Sequence, residues 1–169
     1  LLHGLWTETG GAVCLLQTAG ETVITLRNEQ AGFEGNDGCD LNAATTVDEY
    51  LAIIKKYADE HPDDPWIKGG GWSMAAFGPG ALARKELIDA VVPDRPVILW
   101  SRDGHTVWAN SQALLAAGIT KDTADPPDGR IDRDPKSGEP SGSLQEGASG
   151  LVAGKSPPNT DQVRDDGLR

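Results

Sequence analysis

The chain has 169 residues, a mass of 17.8 kDa, 38% hydrophobic residues and a formal net charge of −11, with a pI near 4.6. That length suits one domain with a core and is too short for a complete (β/α)8 barrel, which needs about 250 residues. The acidity excludes nucleic acid and anionic membrane surfaces as partners, because both attract basic patches.

The expectation is a soluble, cytoplasmic protein, since no run approaches the roughly 18 apolar residues of a membrane span and the first residues lack a secretory signal. Leu1 is not a methionine, which fits a processed protein and a fragment equally. Cys14 and Cys39 show no CxxC spacing, so idle thiols in a reducing compartment are expected.

Residues 1–39 form an N-terminal segment in which short apolar runs, Ala12 to Leu16 and Val23 to Leu26, alternate with Gly and Thr and suggest a β-hairpin. From Thr46 the pattern becomes helical. Thr45 or Thr46 can cap, Asp48 and Glu49 sit in the first turn, and Tyr50, Leu51, Ile53, Ile54, Tyr57 and Ala58 make an apolar stripe. Lys55 and Lys56 complement the dipole, and His61 caps the end before Pro62. A short strand at Trp66-Ile67 then runs into Gly69-Gly-Gly71, where glycine permits positive φ or close backbone approach. This tract is not a phosphate loop, because the Gly-Lys-Ser/Thr ending is missing.

Arg84 to Val91 predicts a second helix, and Val97 to Trp100 predicts a buried strand followed by a turn and then a helix, Ser111 to Ala117. Asn110 or Ser111 caps that helix and Gly118 closes it. Residues 119–141 are rich in Asp, Pro and Gly, which predicts an excursion loop or hairpin anchored by Ile131. Asp103 and His105 flank a glycine at the end of the Val97 strand. A carboxylate and an imidazole so placed can act as acid and base, clamp a substrate or join a metal shell; the plain alternative is a surface turn.

Six motifs in order carry a resemblance: Trp66-Ile-Lys-Gly-Gly-Gly-Trp72, Leu87-Ile-Asp-Ala-Val-Val-Pro-Asp-Arg-Pro-Val97, Asp103-Gly-His105, Asn110-Ser-Gln-Ala-Leu114, Ala117-Gly-Ile119, and Gly138-Glu-Pro-Ser-Gly142 with Leu144-Gln-Glu146. Together they resemble amidohydrolase family 3, metal-dependent hydrolases that include the YtcJ-like proteins and the N-substituted formamide deformylases. The resemblance implies an α/β fold, part of a TIM-type barrel. Residues 40–158 would be the family's insertion and the returning barrel strands, with 159–169 the start of a truncated helix.

The family's His-x-His pair is absent. The only histidines are His3, His61 and His105, and residues 5–38 depart from the family pattern. The resemblance implies a divalent metal, Zn by preference, in the complete enzyme and none in this chain alone. It makes Glu146 a bridging metal carboxylate, where the bland alternative is a solvated acid. It makes His105 and Asp103 catalytic, and Asn110, Trp72 and Trp108 substrate-binding, although a tryptophan is more often core. The implied function is hydrolysis of C–N bonds in a small amide or formamide by metal-activated water, in an enzyme compatible with a homodimer. The competing class is a non-catalytic module that binds a small molecule or a partner.

Overall fold

The computed structural model describes residues 38–79 and 82–157, with three short strands nearer the N-terminus: β1 (Gly4–Trp6), β2 (Ala12–Leu16) and β3 (Ile24–Thr25). The chain divides into two units, Leu1–Gly32 and Phe33–Arg169. In the first, β2 pairs antiparallel with both β1 and β3. The helix expected after Pro158 lies outside the described residues.

The second unit is built on six strands: β4 (Cys39–Asp40), β5 (Ile67–Trp72), β6 (Val97–Ser101), β7 (Thr106–Ala109), β8 (Gly129–Arg133) and β9 (Pro140–Glu146). They form one mixed sheet in the order β4-β5-β6-β7-β9-β8. The first three are parallel, and every pairing from β6 onward is antiparallel. It follows that β4, β5, β6 and β9 point the same way. Their carboxyl ends share one rim with the starts of β7 and β8.

Four helices, α1 (Val47–Glu60), α2 (Lys85–Asp89), α3 (Ser111–Ala117) and α4 (Ser149–Ala153), cover the two faces. On one face Tyr50 and Ile54 of α1 and Ile88 of α2 pack with Val97, Leu99 and Trp108. On the other, Ala113 and Leu114 of α3 and Val152 of α4 pack with Ile98, Val107 and Leu144. A strand buried on both faces loses its alternation, which explains the unbroken apolar run at β6.

The chain after β6 differs from the expected turn and helix. It turns back at once as β7, so Asp103-Gly-His105 is the tip of a β-hairpin. The strand at Trp66-Ile67 also extends further than expected, because the glycines belong to it. A Cβ on Gly69 would stand 2.1 Å from the Cys39 carbonyl oxygen, so only glycine lets β4 approach. Gly71, at φ 96°, takes the register shift between Gly70 and Trp72.

Helix α1 starts as the sequence predicts, with Thr46 and Glu49 forming a reciprocal capping box. Its carboxyl end is held differently. Lys55 pairs with Asp59 and Lys56 with Glu60, while Arg95 reaches across to donate to the carbonyls of Ala58 (2.7 Å), His61 (2.6 Å) and Asp64 (3.0 Å). His61 is the C-cap, its Nδ1 2.9 Å from the Tyr57 carbonyl.

Trp72 and Trp108 are not pocket walls in this structure. Both are fully buried, edge to face at 5.9 Å with Phe77 against each. Their indole N–H groups are satisfied by the carbonyls of Leu99 (2.7 Å) and Arg84 (3.0 Å). Each therefore has its polar handle engaged inside the core.

Candidate functional site

The rim at the carboxyl ends of β4, β5, β6 and β9 collects the polar side chains that the core excludes. At one end Asp40 accepts from both the backbone and side-chain nitrogens of Asn42 (2.9 and 2.8 Å), and Arg102 donates to the carbonyls of Asn42 and Gly71. In the middle the β6–β7 hairpin turns through Arg102, Asp103, Gly104 and His105. Gly104 supplies the left-handed residue this turn needs, at φ 76°.

Asp103 is exposed at the hairpin tip and bonds back along it. Its Oδ1 accepts from the Ser101 hydroxyl (2.5 Å) and from the His105 backbone N–H (3.1 Å). These bonds, the Ser101 one foremost, stabilise the carboxylate and lower its pKa below the ordinary value. Asp103 therefore shapes the turn and touches the His105 backbone, not its ring.

The ring partner is Glu146. His105 Nδ1 lies 3.1 Å from Glu146 Oε1 and 3.2 Å from Oε2. The two residues are 41 apart in sequence and meet because β7 pairs with β9, Thr106 opposite Gln145. The hydrogen bond to Glu146 and its negative charge favour the imidazolium, so the pKa of His105 is raised. Both side chains are open to solvent, 65% and 59% exposed, so a substrate can reach them.

Glu146 is held in an unusual backbone conformation. Its φ is 51°, and among the described residues it is the one non-glycine with positive φ. For a residue with a Cβ this region costs about 1–2 kcal/mol. Its own N–H is bonded to the His105 carbonyl at 2.8 Å, and Gly129 of β8 stands opposite it. Backbone outliers imposed by surrounding structure concentrate at functional positions.

Asn110 is far from this pair, on the opposite rim, because β7 runs the depth of the sheet between His105 and it. It is fully buried. Its Oδ1 accepts from the N–H of Val97 (2.9 Å) and of Ala113 (3.0 Å), and its Nδ2 donates to the carbonyls of Val92 (3.2 Å) and Arg95 (2.8 Å). With every polar position used, no atom of Asn110 is left for a substrate, and its role here is to cap α3 and anchor β6.

The sequence reading missed Ser101, which joins Asp103 to the first residue of β7. The signal was present as Ser-x-Asp-Gly, a pattern of short side chains that bond local backbone in turns.

A hydrolytic metal centre requires several converging nitrogen and carboxylate ligands. Among the described residues no group of three or more His, Cys, Asp or Glu side chains converges. His105 and Glu146 supply two donors that face each other, and these residues do not fit a metal by themselves. Among the described residues no helix is long and apolar enough to cross a membrane.

The family model Amidohydro_3, "Amidohydrolase family", matches residues 30–167. The putative amidohydrolase YtcJ of Bacillus subtilis (strain 168) is 36% identical over 129 residues, 76% of this chain and 24% of that protein. The N-substituted formamide deformylase of Arthrobacter pascens is 31% identical over 160 residues, 88% of this chain and 29% of that protein. The chain thus spans about a quarter of the length of these curated relatives. In fold it is similar to the crystal structure of an uncharacterized metal-dependent hydrolase from Pyrococcus horikoshii OT3, with a TM-score of 0.50, 18% identity, and coverage of 70% of this chain and 20% of that one.

Proposed function

Since the chain belongs to the amidohydrolase family, we propose that it forms part of a hydrolase of C–N bonds in small amides or formamides, with His105 and Glu146 at its reaction centre. The observation that carries this reading is the exposed His105–Glu146 pair, set on a strained backbone at the rim where four strands end. The same rim would be the mouth of the (β/α)8 barrel in the complete protein, where reacting groups of that architecture lie.

C–N cleavage leaves a poor leaving group, an amine nitrogen that must gain a proton as the bond breaks. His105 suits that task. Glu146 keeps its ring protonated to higher pH than an isolated histidine, and a positioned general acid contributes about 10²–10⁴-fold. Asp103 fixes the backbone from which the ring projects. Were a divalent metal, Zn by preference, bound in the complete protein, Glu146 would be the carboxylate of this chain to hold it, and the metal would supply an activated water. The amide or formamide substrate class draws on the deformylase relative.

The test is turnover of the complete hydrolase on a panel of simple amides and N-substituted formamides, with and without His105→Ala. A loss of about 10²-fold or more at unchanged stability is expected. Full activity of the variant defeats the reading.

A further inference from the structure

Ser101 ends β6, and the backbone ladder between β6 and β7 ends one residue earlier, at the pair Trp100–Val107. At the next rung the Ser101 hydroxyl takes the place of a main-chain group: its Oγ accepts from the Thr106 N–H at 3.0 Å. The hydroxyl proton is committed as well, donated to Asp103 Oδ1 at 2.5 Å. That same oxygen receives the His105 N–H at 3.1 Å. The backbone on both sides of the His105 side chain is thus tied, directly or through one carboxylate, to the single hydroxyl of Ser101, a residue that is 7% exposed.

We propose that Ser101 is a positioning residue for the His105 imidazole, its hydroxyl locking the hairpin tip in the geometry that brings the ring to Glu146. The proposal rests on the reading of His105 as a functional group. Other bonds hold the two ends of this segment: Arg102 N–H donates to the Trp72 carbonyl at 2.7 Å and its guanidinium to the carbonyls of Asn42 and Gly71, while the His105 carbonyl accepts from Glu146 N–H at 2.8 Å. Gly104 N–H bonds the Ser101 carbonyl at 3.0 Å, but this closes the turn without fixing the residue that follows. The N–H groups on either side of the His105 side chain are held by Asp103 and Ser101, and a reacting group displaced by about 1 Å loses on the order of 10²-fold in rate. Asp103 alone cannot supply the restraint, because its own orientation depends on the hydroxyl it accepts from.

The experiment compares Ser101→Thr with Ser101→Val. The two side chains have the same shape, so the added methyl perturbs both alike and only the hydroxyl differs. In this chain, amide hydrogen exchange at His105 and Thr106 is followed by NMR. In the complete hydrolase, kcat and KM are measured separately. Exchange at both amides should be about 10-fold faster in Ser101→Val than in Ser101→Thr, and kcat about 10-fold lower at unchanged KM, the pattern of a group that acts on the chemical step. Ser101→Thr should stay close to the natural protein in both. Equal exchange in the two variants overturns the proposal. Unequal exchange together with full activity of His105→Ala overturns instead the functional reading on which it rests.

Discussion

Replacing Asn110 by alanine removes four buried hydrogen bonds at once, and the structure allows the cost to be worked out. The amide accepts from Val97 and Ala113 and donates to Val92 and Arg95, at distances of 2.8 to 3.2 Å. Loss of an N-cap costs about 1 kcal/mol. A buried donor or acceptor left without a partner costs about 1–3 kcal/mol more. The N–H of Val97 is buried at the amino end of β6, where water does not replace the amide, so at least one such penalty applies in full. The total is about 2–4 kcal/mol, against the roughly 5–15 kcal/mol that holds a domain of this size together. Urea unfolding followed by tryptophan fluorescence should show the midpoint falling by about 1–2 M with an unchanged slope, given a slope near 2 kcal/mol/M. A loss below about 1 kcal/mol for Asn110→Ala would refute the account of this residue as the anchor between β6 and α3.

Two further outcomes follow from titrating groups. His105 should titrate in NMR above the ordinary histidine value of about 6.5, and Glu146→Gln should bring it down. Because the folded pKa is the raised one, the pair stabilises the fold fully below the unfolded pKa and loses that contribution as pH rises through the folded value; a titration unmoved by Glu146→Gln contradicts the pairing. Burial pushes the Cys39 thiol up to about 12, with the Asp40 charge adding to the shift. Alkylation at pH 8, mapped by mass spectrometry, should therefore spare Cys39 until urea unfolds the chain, and labelling in the native state would show that β4 is not packed as described.

The parts legible in the sequence are those whose determinants are local. Thr46 and Glu49 cap α1, Asn110 and Gly118 bound α3, and each signal lies within a few residues of the structure it sets. The parts that were not legible depend on partners far along the chain. Strand β7 is four residues long and buried on both faces, so it carries no alternation to announce it. The glycines of β5 look like a loop by propensity, and become strand because only a residue without Cβ lets Cys39 approach. Arg95, not a lysine of α1, satisfies the end of that helix from 34 to 37 residues away. In the site, the sequence reading grouped His105 with Asp103 as the catalytic residues and gave Asn110 to the substrate. The register of β7 on β9 made Glu146 the ring's partner instead, and the depth of the sheet took Asn110 to the opposite rim.

The central claim is that His105 and Glu146 act as one unit, and a double-mutant cycle on turnover of the complete hydrolase tests it most directly. His105→Ala and Glu146→Gln are measured singly and together, with folding of each checked by its melting transition. Groups that act through each other are strongly non-additive. The double variant should therefore be no slower than the more damaged single variant, within about 3-fold. Losses that multiply, each single variant costing about 10²-fold and the pair about 10⁴-fold, would mean that the two residues work independently and that their contact at the rim is incidental.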